Sequence, residues 1–187
     1  MTTFFTSDLH LGHVNIIRFC QRPFADVEEM NAALIANWNS VVGPEDEVWV
    51  VGDFCHRSPK AAKNYLDRLM GTKHLVVGNH DSDDTKRAGW ASVQPYAELS
   101  VDHRRVVLSH YGMRVWNGMR RHSLMLYGHS HGRLPGYKLP GGDGGTLDVG
   151  VDAWGYTPVR ISDILRRIKT LEPMPEGDHH YRVEEDD

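Results

Sequence analysis

The stretch EVWVVGD, residues 47–53, runs from hydrophobic and β-branched residues directly into a glycine and an aspartate. Such a run is typical of a strand, and the polar residue stands just past its carboxyl end. Four further stretches repeat this pattern: TTFFTSDLH (2–10), HLVVGNHD (74–81), VVLSH (106–110) and LMLYGHSH (124–131). Strands that alternate with helical patterns predict an α/β chain, and ligands of such sheets bind beyond the carboxyl ends of the strands. We therefore expect the five strand ends to form one polar site.

The residues at these strand ends are ligands for divalent metals. Aspartate and histidine bind borderline metals, and the amide oxygen of Asn79 adds a neutral ligand. The triplets Asp8–His10 and His129–His131 place both end residues on the same side of an extended segment, so both can reach one ion. The carboxylate of Asp53 has two oxygens and can bridge two cations. The set predicts a site for two divalent ions, which suits phosphoryl transfer.

Each block taken alone has an ordinary explanation. A single histidine on a strand is usually a core or surface residue, and a Gly-Asp pair is common. Residues 78–81 could form a turn with asparagine in the left-handed conformation. The combination of all five blocks, each after a predicted strand, favours the metal site.

The ordered blocks DLH, GD, GNHD, H and GHSH resemble the calcineurin-like metallophosphoesterase superfamily. They cover residues 8–131, and the flanking segments at 8–24 and 150–159 resemble a compact bacterial and phage branch of phosphoesterases. The resemblance implies an α/β (α+β) fold of four layers, an αββα sandwich in which two mixed β-sheets pack face to face between helices. We expect this domain at residues 1–171, followed by an acidic tail at residues 172–187.

The resemblance also implies a role for each residue of the site. One metal ion would be held by Asp8, His10, Asp53 and His131. The other would be held by Asp53, Asn79, His110 and His129, with Asp53 bridging the two ions. His80 would be catalytic and would protonate the leaving group as an imidazolium, and Asp81 would orient it.

Residues beside these blocks are candidate substrate contacts, namely His13, Arg18, His56, Arg114 and Asn117. Arginine binds phosphate in a bidentate manner, and Trp116 is expected to stack on a base. A surface or packing role is the alternative for each of them. Asp148 and Asp152 end a late predicted strand, and neither is given a role.

A small domain without an obvious cap insertion leaves the site open, and open sites in this family commonly act on phosphodiesters. We therefore expect a phosphodiesterase acting on cyclic nucleotides or similar small phosphodiesters, with nucleic acid as a further candidate ligand and no membrane partner. The alternatives are a phosphomonoesterase, a nuclease and a non-catalytic metal-binding interaction module. Nitrogen and oxygen ligands suit Mn, Fe, Zn, Co or Ni, of which Mn²⁺ is expected first.

The charge distribution indicates an anionic ligand. The chain has 187 residues, 12 histidines and a formal net charge of −4, yet residues 103–133 contain six arginines and no Asp, Glu or Lys. That stretch includes three of the predicted ligands, so its positive charge lies around the site. Two cysteines are too few for a disulfide framework, and no apolar run approaches the roughly 20 residues of a spanning helix. A cytoplasmic protein is expected; its oligomeric state stays open.

Periodicity and capping signals predict further elements. Strands are expected at 3–6, 48–51, 75–77, 124–127 and 146–149, with a pair of strands around 102–103 and helices at 27–42, 59–70 and 162–169. Asp26 is the expected N-cap of the first helix, with Glu29 as its capping-box partner. Ser58 is the expected cap of the second helix, with Pro59 at its first position.

Overall fold

Residues 1–175 are described by the computed structural model, and ten strands and five α-helices lie within them. The elements are β1 (Thr3–Thr6), α1 (Val14–Phe19), α2 (Val27–Val41), β2 (Glu47–Val50), α3 (Ala62–Leu66), β3 (Thr72–Val76), α4 (Asp83–Lys86), β4 (Ser92–Gln94), β5 (Ala97–Val101), β6 (Arg104–Leu108), β7 (Leu124–Tyr127), β8 (Tyr137–Lys138), β9 (Gly145–Asp148), β10 (Val159–Arg160) and α5 (Ile161–Ile168). Short 3₁₀ turns lie at Met119–Arg121 and Val151–Ala153.

The strands form two mixed sheets of five strands each. In the first sheet, of order β10-β1-β2-β3-β4, the strands β1 to β4 are parallel and β10 is antiparallel to β1. In the second sheet, of order β5-β6-β7-β9-β8, the three central strands are parallel and both edge strands are antiparallel to them. The carboxyl ends of β1, β2 and β3 therefore lie along one edge of the first sheet, and those of β6, β7 and β9 along one edge of the second.

One hydrophobic core fills the space between the two sheets. Successive side chains of a strand point to opposite faces, so Phe5 of β1 and Trp49 of β2 enter this core from the first sheet. Leu108 of β6 and Leu126 of β7 enter it from the second sheet, and Ile164 of α5 completes it. The sheets thus pack face to face, as the fold prediction required.

The outer faces of the two sheets are covered in different ways. Alternate residues such as Val48 and Val50 face a second core, in which Trp38 of α2 and Tyr65 of α3 cover the first sheet. The outer face of the second sheet packs against Trp116, Met119 and Leu139, which come from a 3₁₀ turn and loops. The predicted α/β sandwich is confirmed, and its two outer layers are unequal.

The predicted strands are all present; those at 3–6 and 124–127 have the predicted bounds, and the bounds of the strands predicted at 48–51, 75–77 and 146–149 differ by one to three residues. The N-cap of α2 is also confirmed, because the Asp26 side chain accepts a hydrogen bond of 2.8 Å from the Glu29 N–H. The helix predicted at 59–70 was too long, since only Ala62–Leu66 is α-helical. The Asp84 carboxylate, distant in sequence, accepts the Ala62 N–H at 2.8 Å and so stabilises the observed helix start.

The beginning of the predicted tail lies along β8. The Lys138 N–H donates to the Glu172 carbonyl, and the Met174 N–H donates back to the Lys138 carbonyl. The rest of the tail lies outside the described residues, so the boundary at residue 171 stays a prediction. No helix within residues 1–175 is long and apolar enough to cross a membrane.

The core between the sheets is expected to carry much of the folding free energy. Leu126 is fully buried there, so Leu126→Ala should lower the free energy of unfolding by about 2–5 kcal/mol through lost burial and a cavity. Val93→Ala, at a partly exposed edge strand, should change it by less than about 0.5 kcal/mol. Urea denaturation measures both, and similar losses in the two variants would contradict this placement of the core.

Candidate metal centre

The ligand-bearing loops continue the strand pairing beyond the sheet. The N–H groups of Asp8 and His10 donate to the carbonyls of Gly52 and Asp53 at 3.0 and 2.9 Å. The Leu11 N–H donates to the Phe54 carbonyl at 2.9 Å. The loops after β1 and β2 therefore run side by side, which places Asp8, His10 and Asp53 at one end of the first sheet.

Five of the predicted ligands have a left-handed backbone. Their φ angles lie between 49° and 65°, and the residues are Asp8, His10, Asp53, His129 and His131. A residue with a Cβ pays roughly 1–2 kcal/mol for this conformation. Such strain concentrates at functional sites, where the surrounding structure holds it in place.

A first ligand group comprises Asp8, His10 and His131, whose ligand atoms lie within 4.8 Å of one another. His10 is only 2% exposed, and neither of its ring nitrogens has a hydrogen-bond partner among residues 1–175. Burial lowers the pKa of His10 to about 2, although Asp53 opposes this. A neutral buried imidazole with two unused nitrogens is suited to a metal ion.

A second ligand group comprises Asp53, His110 and His129. The Nδ1 of His110 lies 2.9 Å from the Val51 carbonyl, which directs its Nε2 towards the group. The Asn79 Oδ1 lies 3.0 Å from both the His110 Nε2 and the His129 Nδ1. The Asn79 oxygen therefore lies beside this group, and its role as a ligand stays a prediction.

The Asp53 carboxylate lies between the two groups. Its Oδ2 is 3.5 Å from the Nε2 of His10 and 3.5 Å from the Nε2 of His110. Burial opposes its charge, but the hydrogen bond and charge of His110 lower the pKa of Asp53 to about 2. An ionised carboxylate in this position can contact an ion in either group.

The residues of this centre fit divalent metal ions. The donors are carboxylate oxygens, imidazole nitrogens and one amide oxygen, the set that borderline divalent metals prefer. The backbone is closely packed around them, because a Cβ at Gly78 would overlap the Asp53 carboxylate and one at Gly52 would overlap the His110 ring. The unpaired nitrogens of His10 are the clearest sign that a partner outside the chain belongs here.

The remaining carboxylate, Asp8, links the two sheets. Its oxygens accept the His129 N–H at 2.9 and 3.1 Å. Burial raises the pKa of Asp8 to about 7, against the opposing charges of His131 and His110. A bound cation would favour its ionised form.

Two residues without a predicted role position the first group. The Nδ1 of His131 lies 2.7 Å from the Asp152 Oδ2, and Arg22 binds both oxygens of Asp152 at 2.8 Å. The buried guanidinium of Arg22 also donates to the carbonyls of Asp8 and Leu9 at 2.7 and 3.0 Å. Arg22 and Asp152 are 130 positions apart, so no local pattern could connect them.

Asp148 has a comparable structural role. Its carboxylate accepts hydrogen bonds from the Ser130 hydroxyl at 2.5 Å, the Gly132 N–H at 2.8 Å and the Gly150 N–H at 2.6 Å. These bonds hold the loop that carries His131. Asp148 is the last residue of β9, as Asp8 and Asp53 lie just past the ends of their strands. Its position at a strand end is the sequence signal that could have identified its role.

The structure gives Asp81 different partners from the expected one. Its carboxylate accepts the N–H groups of Asp53, Phe54 and Gly78 at 2.8–2.9 Å. The His80 N–H donates to the Asp53 Oδ1 at 2.8 Å, and the His80 side chain is exposed. Asp81 therefore holds the backbone of the loops, whereas it was expected to orient the His80 imidazole.

Of the predicted substrate contacts, His13 and His56 lie beside the ligands. The ring centroid of His13 is 5.5 Å from that of His10, and His56 is 4.2 Å from His80. The guanidinium of Arg18 lies over the Phe19 ring, whose edge contacts His13. These positions are at the border of the site.

The loop after His110 differs from the expectation. Trp116 is 6% exposed and donates to the Ser123 hydroxyl, so the prediction that it stacks on a base was wrong. The Asn117 side chain binds the Glu98 carboxylate, and Arg114 lines a separate cavity of about 430 Å³. Tyr111, which the sequence analysis missed, is 52% exposed and packs edge-on against His110 and His129.

The chain is similar to known proteins in its sequence and in its fold. The family model described as calcineurin-like phosphoesterase matches residues 1–139. An uncharacterized protein of Methanocaldococcus jannaschii is 31% identical over 166 residues, covering 87% of this chain and 89% of that protein. The Gene 66 protein of Mycobacterium phage L5 is 32% identical over 200 residues, covering 89% and 95%. The solved structure of a protein of unknown function from Aquifex aeolicus has a TM-score of 0.68 at 22% identity, covering 89% of this chain and 99% of that one, and it shares the fold.

The contact between Asp152 and His131 is expected to raise metal affinity. Asp152→Asn removes the charge that orients the His131 ring, so the affinity for Mn²⁺ should fall about 10–100-fold. Calorimetric titration of the chelator-stripped protein measures this, with a thermal melt to verify folding. Asp163→Asn, which alters a surface ion pair on α5, is the matched control. Equal Mn²⁺ affinities in wild type and Asp152→Asn would contradict the role of Asp152.

Proposed function

Because this chain belongs to the calcineurin-like phosphoesterase family, we propose that it is a metal-dependent phosphodiesterase acting on cyclic nucleotides or similar small phosphodiesters. The family supports hydrolysis of phosphate esters with divalent metal ions, and the preference for diesters and the use of two ions are our proposal. The observation that carries it is the Asp53 Oδ2, 3.5 Å from a histidine nitrogen of each ligand group.

One ion would be held by Asp8, His10, Asp53 and His131, and the other by Asp53, Asn79, His110 and His129. When bound, the two ions would neutralise charge on the phosphoryl oxygens and activate water as the nucleophile. Mn²⁺ is the first choice for this nitrogen and oxygen donor set, and Fe, Zn, Co and Ni also suit it.

The residues of the chain supply the proton for the leaving group. Hydrolysis joins the oxygen of water to phosphorus and breaks the bond to the leaving oxygen, which must take up a proton. The exposed imidazole of His80 stands beside the ligand groups, with its backbone held by Asp53. As an imidazolium, His80 would donate that proton. Asp81 supports this through the loop backbone it binds.

The preference for a small nucleotide diester rests on the surroundings of the site. Tyr111 presents an exposed ring beside His110 and His129, on which a base can stack. A nuclease binding along the arginine-rich stretch has less support, because Arg104 binds the Asp143 carboxylate and Arg133 donates to the Phe19 carbonyl.

The proposal includes a cytoplasmic location, because the two cysteines are too few for a disulfide framework.

Metal-loaded protein is expected to hydrolyse bis-p-nitrophenyl phosphate at a higher kcat/KM than p-nitrophenyl phosphate. Chelator treatment and Asp53→Asn should each lower the diester rate by at least about 100-fold, because both remove the charge stabilisation that metal ions provide. The release of p-nitrophenolate measures the rate of hydrolysis in each of these experiments. Faster hydrolysis of the monoester would identify a phosphomonoesterase, and a Mn²⁺-loaded protein inert towards both esters would refute hydrolysis.

The role of His80 predicts a dependence on the leaving group. An alkoxide needs a proton on departure and p-nitrophenolate does not, so His80→Gln should slow 3′,5′-cyclic AMP hydrolysis by about 10²–10⁴-fold. The same variant should slow bis-p-nitrophenyl phosphate hydrolysis much less. His103→Asn, in the exposed turn between β5 and β6, is the control for loss of a histidine. Equal losses on both substrates would rule out proton donation by His80.

A further inference from the structure

A row of imidazole rings extends from the metal centre through residues that are not in either ligand group. The ring centroids of His80 and His56 are 4.2 Å apart, and those of His56 and His13 are 4.7 Å apart. The row closes on His10, whose centroid is 5.5 Å from both His13 and His80. His13, His56 and His80 therefore form one continuous wall of rings, in which His80 is the proposed proton donor.

The backbone behind this wall is held by several independent contacts. Leu11 and Cys55 form a parallel bridge, and the His56 N–H donates to the Leu11 carbonyl. The Gly12 N–H donates to the Asn31 side chain at 2.9 Å, and a Cβ at Gly12 would overlap Ser58. The loops that carry His13 and His56 therefore cannot separate without breaking these contacts, so the two rings are preorganised.

His13 is the most deeply buried of the imidazole rings outside the two ligand groups. His13 is 7% exposed, and its Nδ1 is buried without a hydrogen-bond partner among residues 1–175. The ring of His56 packs edge-on against His13, and the guanidinium of Arg57 follows His56 in sequence. A polar ring nitrogen without a partner, next to further basic side chains, favours an anionic ligand.

A metal ion fits this wall less well than an anion does. The groups of three metal-ligand atoms that lie within 4.8 Å of one another in the described residues contain neither His13 nor His56. The exposed guanidinium of Arg57, next to His56 in sequence, would also repel a cation.

We propose that His13 and His56 form a subsite for a second anionic group of the substrate, namely a phosphate on the leaving portion. This inference rests on the proposed function, in which His80 protonates the leaving oxygen. The part of the substrate beyond that oxygen then lies against His56, the ring nearest to His80, and next against His13. Among the small phosphodiesters of the proposed function, this subsite favours those with a second phosphate, such as linear or cyclic dinucleotides.

Three dinucleotides test this preference, namely TpT, pTpT and TpTp, which differ only in a terminal phosphate. In one of the two phosphorylated forms the terminal phosphate lies on the leaving nucleoside. That form should have a kcat/KM about tenfold or more above that of TpT, because a charge-assisted hydrogen bond to the phosphate stabilises the complex by about this factor. His13→Gln and His56→Gln should each abolish most of that advantage. His103→Asn is the control and should preserve it. Equal rates for the three dinucleotides, or an advantage that survives both variants, would overturn the proposal.

Equilibrium binding tests the subsite separately from hydrolysis. Methylenediphosphonate, with two anionic groups, should bind the Mn²⁺-loaded wild type about tenfold or more tightly than methylphosphonate does, and this ratio should fall in His13→Gln and His56→Gln. Calorimetry measures the ratios and the number of Mn²⁺ ions bound. Loss of one Mn²⁺ ion in either variant would assign these rings to a metal and overturn the proposal. If the protein hydrolyses no phosphate ester, the proposed function fails, and the binding ratios alone decide on the subsite.

Discussion

The carboxylate of Asp53 is the contact on which the arrangement of the other candidate ligands depends. Its Oδ2 lies between histidines that follow β1 and β6, and its Oδ1 accepts the N–H of His80 after β3. Its own N–H donates to Asp81, and its carbonyl accepts the His10 N–H. One residue at the end of β2 thus joins loops from both sheets, because its polar atoms have partners on the segments after β1, β3 and β6.

The site is maintained against local strain. Five of the predicted ligands adopt left-handed backbone conformations, each of which costs roughly 1–2 kcal/mol. Buried polar side chains offset this cost by binding the loops. Asp81 accepts three backbone N–H groups, Asp148 holds the loop of His131, and Arg22 binds the carbonyls after β1. The polar network that surrounds the centre therefore supports its geometry.

Sequence patterns located the residues of the two candidate ligand groups better than the residues that support them. Asp8, His10 and His131 could be predicted because each stands at a strand end with a fixed spacing, and parallel strands bring such ends together. Asp152 and Arg22 could not, since their contact joins positions 130 apart and neither lies in a spaced block. Trp116 and Tyr111 show the same limit. Both are aromatic and close to His110, and only packing decides that Trp116 is buried and Tyr111 exposed.

The sequence by itself determined the α/β class, the strands and the residue types at the strand ends, because strand periodicity and residue type are local properties. The sandwich of two sheets was implied only by the resemblance to a known family. The tertiary structure alone decided which atoms face one another. It placed the Asp53 oxygen between the two ligand groups, turned Asp81 towards the backbone, and joined His13, His56 and His80 in one wall. These arrangements follow from the packing of two sheets and from loop hydrogen bonds, which act over distances in sequence that no local pattern records.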